Sequence, residues 1–266
     1  MKRIYFFFLI ILGAICYLPS LTSCKKEKDI PESITLGSSD NFTLTDYNNL
    51  FFHDSKSMLM LYSENIVSQD HTAPNSWNRF LNGIGVSSFQ DVSDHPVAKI
   101  NGIEMAIPRL DLGEQSNNVY INPGDANETT LFGNKVSIDA FGVKGEMYVP
   151  EKVSILAPIP NNQKPYSTTA IQRNTPLTMK WNSDPKSRGV FIKIEYFEFA
   201  NPGTVYTQMD YAADTGEFTI PDSWLQNIPN LEDFSISIRR GNYHKASKGR
   251  SISCIVGATM FFQLKP

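Results

Sequence analysis

Two short runs place reactive side chains at spacings that catalysis uses. In Asp214-Thr215-Gly216 the carboxylate is of the kind that pairs with a second carboxylate to share a proton, a use that requires an apolar strand before the tripeptide and a second copy of it. Ala212 and Ala213 come before it, Glu217 comes after it, and the chain holds no second copy. The turn preferences of Asp and Gly therefore make the run a hairpin turn. Ser183-Asp184-Pro185-Lys186 has the Ser-x-x-Lys spacing that brings an amine to a hydroxyl on a helical turn. Pro185 disfavours the helical conformation for Asp184, so this run reads as a loop.

The remaining reactive groups do not combine. His53, His71, His95 and His244 lie far apart and form no His-x-x-x-His pair for a helical zinc site. Asp210, Asp214 and Glu217, like Asp91 and Asp94, fall outside the spaced pattern of a calcium loop and read as turn acids. Cys254 stands in the apolar run Ile252-Ser253-Cys254-Ile255-Val256 with no cationic partner nearby, the setting of a buried, unreactive thiol. No catalytic residue, metal ligand or cofactor is expected. Trp77, Tyr206, Tyr211, Trp224 and Tyr243 fall at or near segment ends and are the candidates for stacking a ligand ring, against the stronger expectation that a β core buries them. Arg239, Arg240, Lys245, Lys248 and Arg250 around Gly241-Asn242-Tyr243-His244 make one locally basic loop.

The elements that must position these residues are mostly strands. Beyond Pro150, runs rich in β-branched and aromatic residues alternate with turn clusters. They are Val153-Leu156, Leu177-Trp181, Val190-Phe199, Thr204-Met209, Glu217-Ile220, Phe234-Arg239 and Ser251-Phe262. Phe191 to Tyr196 and Phe234 to Ile238 alternate with the period of two of half-buried antiparallel strands. Asn201-Pro202-Gly203 supplies a second turn, and Pro221 to Leu225 reads as a short helical turn capped by Asp222 or Ser223. In the first half, helices are expected from Asp54 to Tyr62 and from Pro74 to Leu81. Strands are expected over Gly102-Ile107, Lys135-Ala140 and Gly145-Val149.

The chain has 266 residues and a formal net charge of −3. Lys2 and Arg3, then the apolar stretch Ile4 to Ile15, broken by Gly13 and followed by Pro19, have the make-up of a secretory signal and are too short for a transmembrane helix. Loss of residues 1–23 leaves 22 basic against 27 acidic residues, a net −5, which argues against nucleic-acid binding through phosphate neutralisation. The polar composition of residues 24–40 reads as a tether.

Leu21-Thr22-Ser23-Cys24, set after that apolar stretch, resembles a bacterial lipobox. The resemblance implies cleavage before Cys24, a diacylglyceryl group on its thiol and an acylated new amine. Lys25-Lys26-Glu27-Lys28-Asp29 beside it is similar to the export tags of Bacteroidetes-type surface lipoproteins, though with three lysines against two acids. The stretch Asp214 to Pro229 likewise resembles the turns of β-sandwich domains in such lipoproteins. Together these imply a mainly β protein: a smaller, mostly β domain with one or two short helices at 41–149, then an immunoglobulin-like antiparallel sandwich at 150–266. The implied role is a lipid-anchored, non-enzymatic binding or assembly protein of the cell envelope, held to the outer membrane through the lipid on Cys24, its partner a glycan or an envelope protein. A surface glycan-binding protein accessory to nutrient uptake, an adhesin or pilus-like subunit, and a glycan hydrolase with two converging carboxylates are the alternatives.

Overall fold

The computed structural model describes residues 43–50, 57–67, 78–88, 98–104, 131–140, 143–158, 169–197, 205–246 and 250–266. Along the chain run α1 (Leu44–Leu50), β1 (Ser57–Val67), β2 (Asn78–Ser88), β3 (Lys99–Ile100), β4 (Ile103–Glu104), β5 (Asn134–Ala140), β6 (Val143–Val149), β7 (Ile155–Ala157), β8 (Thr169–Gln172), β9 (Leu177–Trp181), β10 (Val190–Phe197), β11 (Val205–Ala212), β12 (Glu217–Ile220), α2 (Asp222–Leu225), β13 (Asp233–Ala246) and β14 (Arg250–Lys265). The protein is mainly β, as its composition and alternation require.

The frame is a seven-stranded sheet in the order β11-β10-β13-β14-β1-β2, with β8 beside the far end of β14. Two smaller sheets, β12-β9-β7 and β4-β3-β5-β6, pack on it. Period-two alternation along β14 serves both: Ile252 and Cys254 enter one core with Leu59, Leu61, Val136, Ile138 and Met147, while Val256, Ala258, Met260, Phe262 and Leu264 enter the other with Met179, Trp181, Ile192, Ile236 and Ile238. Burying each aliphatic side chain contributes about 1.5–3 kcal/mol, so β14 anchors two cores with one face. On its other face Ile255 joins Leu50 of α1 and Phe191 in a third, smaller cluster.

Two pairings depart from an antiparallel scheme. β1 runs parallel to β14 from Ser57↔Arg250 to Ile66↔Thr259, and β8 runs parallel to its continuation from Phe262↔Thr169. A parallel neighbour cannot be reached by a tight turn, so β1 meets its partner only across most of the chain. The seven-stranded sheet consequently crosses the expected boundary at residue 150, and all the described residues fall in one unit, Glu32–Pro266.

The helix expected from Asp54 to Tyr62 is corrected over its described part: Ser57–Tyr62 belongs to β1, and Asn78–Leu81 of the second expected helix belongs to β2. Met58-Leu59-Met60-Leu61 fits either period, and length does not decide. Neighbours decide: β1 lies between β14 and β2, so Leu59 and Leu61 enter the core while Met60 packs under α1. Asp54 and Pro74 to Trp77 lie outside the described residues. So does Asn201-Pro202-Gly203, although the strands on either side of it, β10 and β11, pair antiparallel. The strands expected at Leu177-Trp181 and Glu217-Ile220 match β9 and β12 at both ends. For α2, the cap falls on Pro221 without a side-chain hydrogen bond and not on Asp222 or Ser223. Its far end is held instead by Arg173, whose guanidinium donates to Leu225 O at 3.1 Å, Ile228 O at 2.6 Å and Asn230 Oδ1 at 2.8 Å.

Candidate functional site

The densest gathering of chemistry-bearing side chains lies where the two large cores meet. On β13, alternation carries Phe234, Ile236 and Ile238 inward, and the same parity carries Arg240 and Asn242 inward after them. Their partners on β14 are Val256, in one core, and Cys254, in the other. Arg240 is thus held at the seam with 0% of its surface exposed. Its Nε donates to Glu151 O at 3.0 Å, one terminal nitrogen donates to Asn182 O at 3.0 Å and to Asp214 Oδ2 at 2.6 Å, and the other donates to Lys152 O at 3.3 Å.

Asp214 completes its own shell by accepting from Trp181 Nε1 at 2.8 Å and from the Asp184 backbone N–H at 3.1 Å. Asp184, also buried, accepts from the Tyr148 hydroxyl at 2.9 Å, the Glu151 N–H at 3.0 Å and the Lys186 N–H at 3.0 Å. Burial, then the hydrogen bond to Asp184, pushes the Tyr148 hydroxyl well above the ordinary phenol pKa. Asn242 donates to Tyr148 O at 2.8 Å. Burial pushes the Cys254 thiol up to about 12, and its Sγ lies 3.5 Å from both Tyr148 O and Asn242 O. The result is a closed polar knot in which charges and dipoles satisfy one another, as buried ionic groups require.

The two motifs that suggested catalysis are both parts of this knot. Ser183 to Lys186 is a loop, as its Pro predicts, and its buried member is Asp184. Asp214-Thr215-Gly216 is corrected from hairpin to connection between sheets, because β11 pairs with β10 and β12 pairs with β9. Gly216 has φ +86°, and a Cβ there would meet Trp181 O at 2.9 Å, so the tripeptide needs its glycine for conformation and for close approach. The signal for Arg240 was present in the sequence, since extending the alternation beyond Ile238 puts it on the apolar face. Tyr148, Asp184 and Asn242 are joined to it only by the fold.

The candidate stacking residues have separate settings. Tyr206 and Trp224 are half-buried against the larger core, Trp224 with Phe218 at 5.9 Å. Tyr211 and Tyr243 lie on the opposite face of the large sheet, in the cluster under α1. There Phe191 makes edge contacts with Tyr47 at 5.0 Å and Tyr211 at 5.2 Å. Tyr243 donates to Asp46 Oδ1 at 2.9 Å, and Arg188 pairs with the same oxygen at 3.1 Å. Trp77, Cys24, His53, His71, His95, Asp91 and Asp94 lie outside the described residues.

Thr43 and Asp46 form a reciprocal cap on α1, with Thr43 N–H and Oγ1 each donating to Asp46 Oδ2 at 2.8 Å and Asp46 N–H donating to Thr43 Oγ1 at 3.3 Å. Burial alone would raise the Asp46 carboxyl pKa; the hydrogen bonds from Thr43 and Tyr243 and the charge of Arg188 outweigh it and hold it below the ordinary carboxylate value. The locally basic run is corrected from a loop to strand over its described part, with Arg239 to Lys245 in β13 and Arg250 opening β14; Arg240 points inward, Arg239 pairs with Glu64 at 3.2 Å, and Lys248 lies outside the described residues. Of the acids considered for calcium, Asp214 is in the knot and Glu217 pairs with Lys180 at 3.4 Å. Among the described residues, no three His, Cys, Asp or Glu are grouped to hold a metal ion, and no helix is long and apolar enough to cross a membrane. No protein-family model matches the chain, and no curated protein matches it in sequence.

Proposed function

We propose that this chain is a lipid-anchored, non-enzymatic binding or assembly protein of the bacterial cell envelope, held by acyl chains on Cys24 once residues 1–23 have been removed. The observation that carries the non-enzymatic part is the closure of the knot. Among the described residues, Asp184, Asp214, Tyr148, Arg240 and Cys254 are the reactive groups gathered together, and each spends its polar atoms on protein partners. A carboxylate that accepts from a guanidinium, an indole and a backbone N–H has three of its about four acceptor positions taken inside the protein. Of the candidate aromatic residues, the described ones, Tyr206, Tyr211, Trp224 and Tyr243, are likewise engaged in packing, so they lend the glycan-binding reading no specific support.

The anchor rests on Leu21-Thr22-Ser23-Cys24 and the apolar stretch before it. Each buried methylene contributes about 0.8 kcal/mol, and two or more chains hold durably, which frees the folded part from any need for a membrane-binding surface. Between Cys24 and Thr43, where the described fold begins, the chain can span at most ~65 Å when extended.

The test is palmitate labelling of cells making the native chain or Cys24→Ala, followed by protease shaving. Labelled native protein and unlabelled Cys24→Ala protein support the anchor, and equal labelling of both removes it. Digestion on intact cells with periplasmic markers spared places the protein on the surface, while protection places it in the periplasm.

A further inference from the structure

α1 meets the rest of the protein along one narrow stripe. Asp46, Tyr47 and Leu50 turn toward the seven-stranded sheet, while Thr43, Leu44, Thr45 and Asn48 are exposed. Asp46 and Tyr47 stand four and three residues before Leu50, the spacing that puts side chains on one helix face. Side chains tie the helix down: Asp46 accepts from Tyr243 and Arg188, Ser253 Oγ donates to Leu50 O at 3.4 Å, and Leu50 is wholly buried. Leu50 enters neither large core. Its cluster holds Phe191 and Ile255, with Met60, Met209, Tyr211 and Tyr243 against them, on the face of the sheet turned away from both.

The surface beneath is built without α1. Phe191 stands on β10 between β11 and β13, and Ile255 stands on β14 between β13 and β1. Ladder hydrogen bonds on both sides therefore set their positions. Phe191 has an edge contact with Tyr211 at 5.2 Å, and the Arg188 guanidinium lies over the Tyr243 ring at 6.0 Å; both contacts are made within the sheet side. The hollow that receives Leu50 is also the sheet's own. A Cβ on Gly241 would come within 2.3 Å of Cys254 O, so β13 needs glycine there whether Leu50 is seated or not. An element with few buried apolar contacts, resting on a surface that holds its own shape, opens at a lower free energy than the whole fold.

We propose that α1 is a detachable cover, which lifts off as one unit while both large cores stay closed and uncovers a preformed apolar seat on the sheet. Connectivity permits the motion, since α1 precedes every other described element and joins β1 through residues 51–56. Opening brings Phe191 and Ile255 into water and separates Asp46 from Arg188, so the closed state dominates at rest. The seat keeps its shape in the open state, because its strands stay paired. The inference stands apart from the anchor on Cys24.

The test uses the full chain, native and with Asp46→Asn and Leu50→Ala combined. In the native chain, hydrogen exchange is expected to be about a hundredfold faster at the Tyr47 to Leu50 amides than at those of Phe191 to Tyr196, with a weaker dependence on urea. In the double variant the α1 amides are expected to lose their protection while the β10 amides keep about a thousandfold. Oxidation by hydrogen peroxide, read by mass spectrometry, reports on the seat. Met60 and Met209 are expected to react about fivefold faster in the double variant than in the native chain, with Met147, Met179 and Met260 of the large cores unchanged. A single rate and a single urea dependence for α1 and β10 in the native chain would overturn the proposal. So would a double variant in which β10 loses protection together with α1, or in which Met60 and Met209 react no faster than before.

Discussion

Asp214, held by Arg240, shows how a buried charge can be structural in one fold and look catalytic in a sequence. Removing one partner of a buried pair leaves the other uncompensated, a loss of about 3–5 kcal/mol. Arg240→Met and Asp214→Asn are each expected to lower the unfolding free energy by that amount, and Arg240→Met with Asp214→Leu should recover part of it, which equilibrium urea unfolding of the three variants will read. Cys254 offers the complementary case. With its thiol pushed up to about 12 by burial, it carries almost no thiolate at pH 8. Alkylation of the Cys254 peptide, followed by mass spectrometry, is expected only in denaturant; rapid labelling of the native chain would contradict the enclosure. What was legible here was parity: the setting of Cys254 follows from its apolar run, and that of Arg240 from carrying the alternation two residues further. Asp184 was not legible, because a carboxylate in a Pro-containing loop looks the same whether its oxygens meet water or Tyr148.

Among the elements, α1 shows how far a short helix depends on its side chains. Seven residues are too few for an isolated helix, so its stability comes from the Thr43–Asp46 cap, the Arg188 pair and the seating of Leu50. Gly241 makes that seat: a Cβ there would come within 2.9 Å of Leu50 Cδ2 and 2.3 Å of Cys254 O. Asp46→Ala is expected to cost about 1 kcal/mol through the cap, with a further loss from the orphaned guanidinium. Because the Asp46 pKa is lowered on folding, its contribution is present above the ordinary carboxylate value and disappears as pH falls through the lower, folded value. Melting curves of the native chain and Asp46→Asn should therefore differ at pH 7 and converge in acid; a constant gap would remove Asp46 ionisation from the account. Thr43-Leu44-Thr45-Asp46 carries the sequence signature of such a cap, and its position next to a stretch of polar composition hid it. β1 was hidden for a different reason. Its Met-Leu-Met-Leu run is apolar on both sides, and the identity of its neighbours, which fixes the period, is encoded nearly 200 residues away in β14.

Across the whole molecule, the turn-bounded strands from β9 onward were legible because each alternates and ends at a Gly, Pro or Asp turn, whereas the route of the chain between sheets was not. The central place of β14 makes residues 150–266 incomplete by themselves, since removal of β1 opens a ten-residue parallel edge and uncovers Ile252 and Cys254. That fragment is expected to aggregate or remain unfolded by circular dichroism, while the chain from Cys24 onward gives a cooperative transition. A soluble, folded fragment would support a boundary at 150. The same strand bears on the order of assembly. β13, β1 and β8 all wait for β14, and its sixteen residues leave the ribosome after every other strand described here. Until then both large cores lack a wall, and the long-range pairings that close them cannot form. The nascent chain is thereby kept from locking into its final shape for as long as translation of the strand is unfinished.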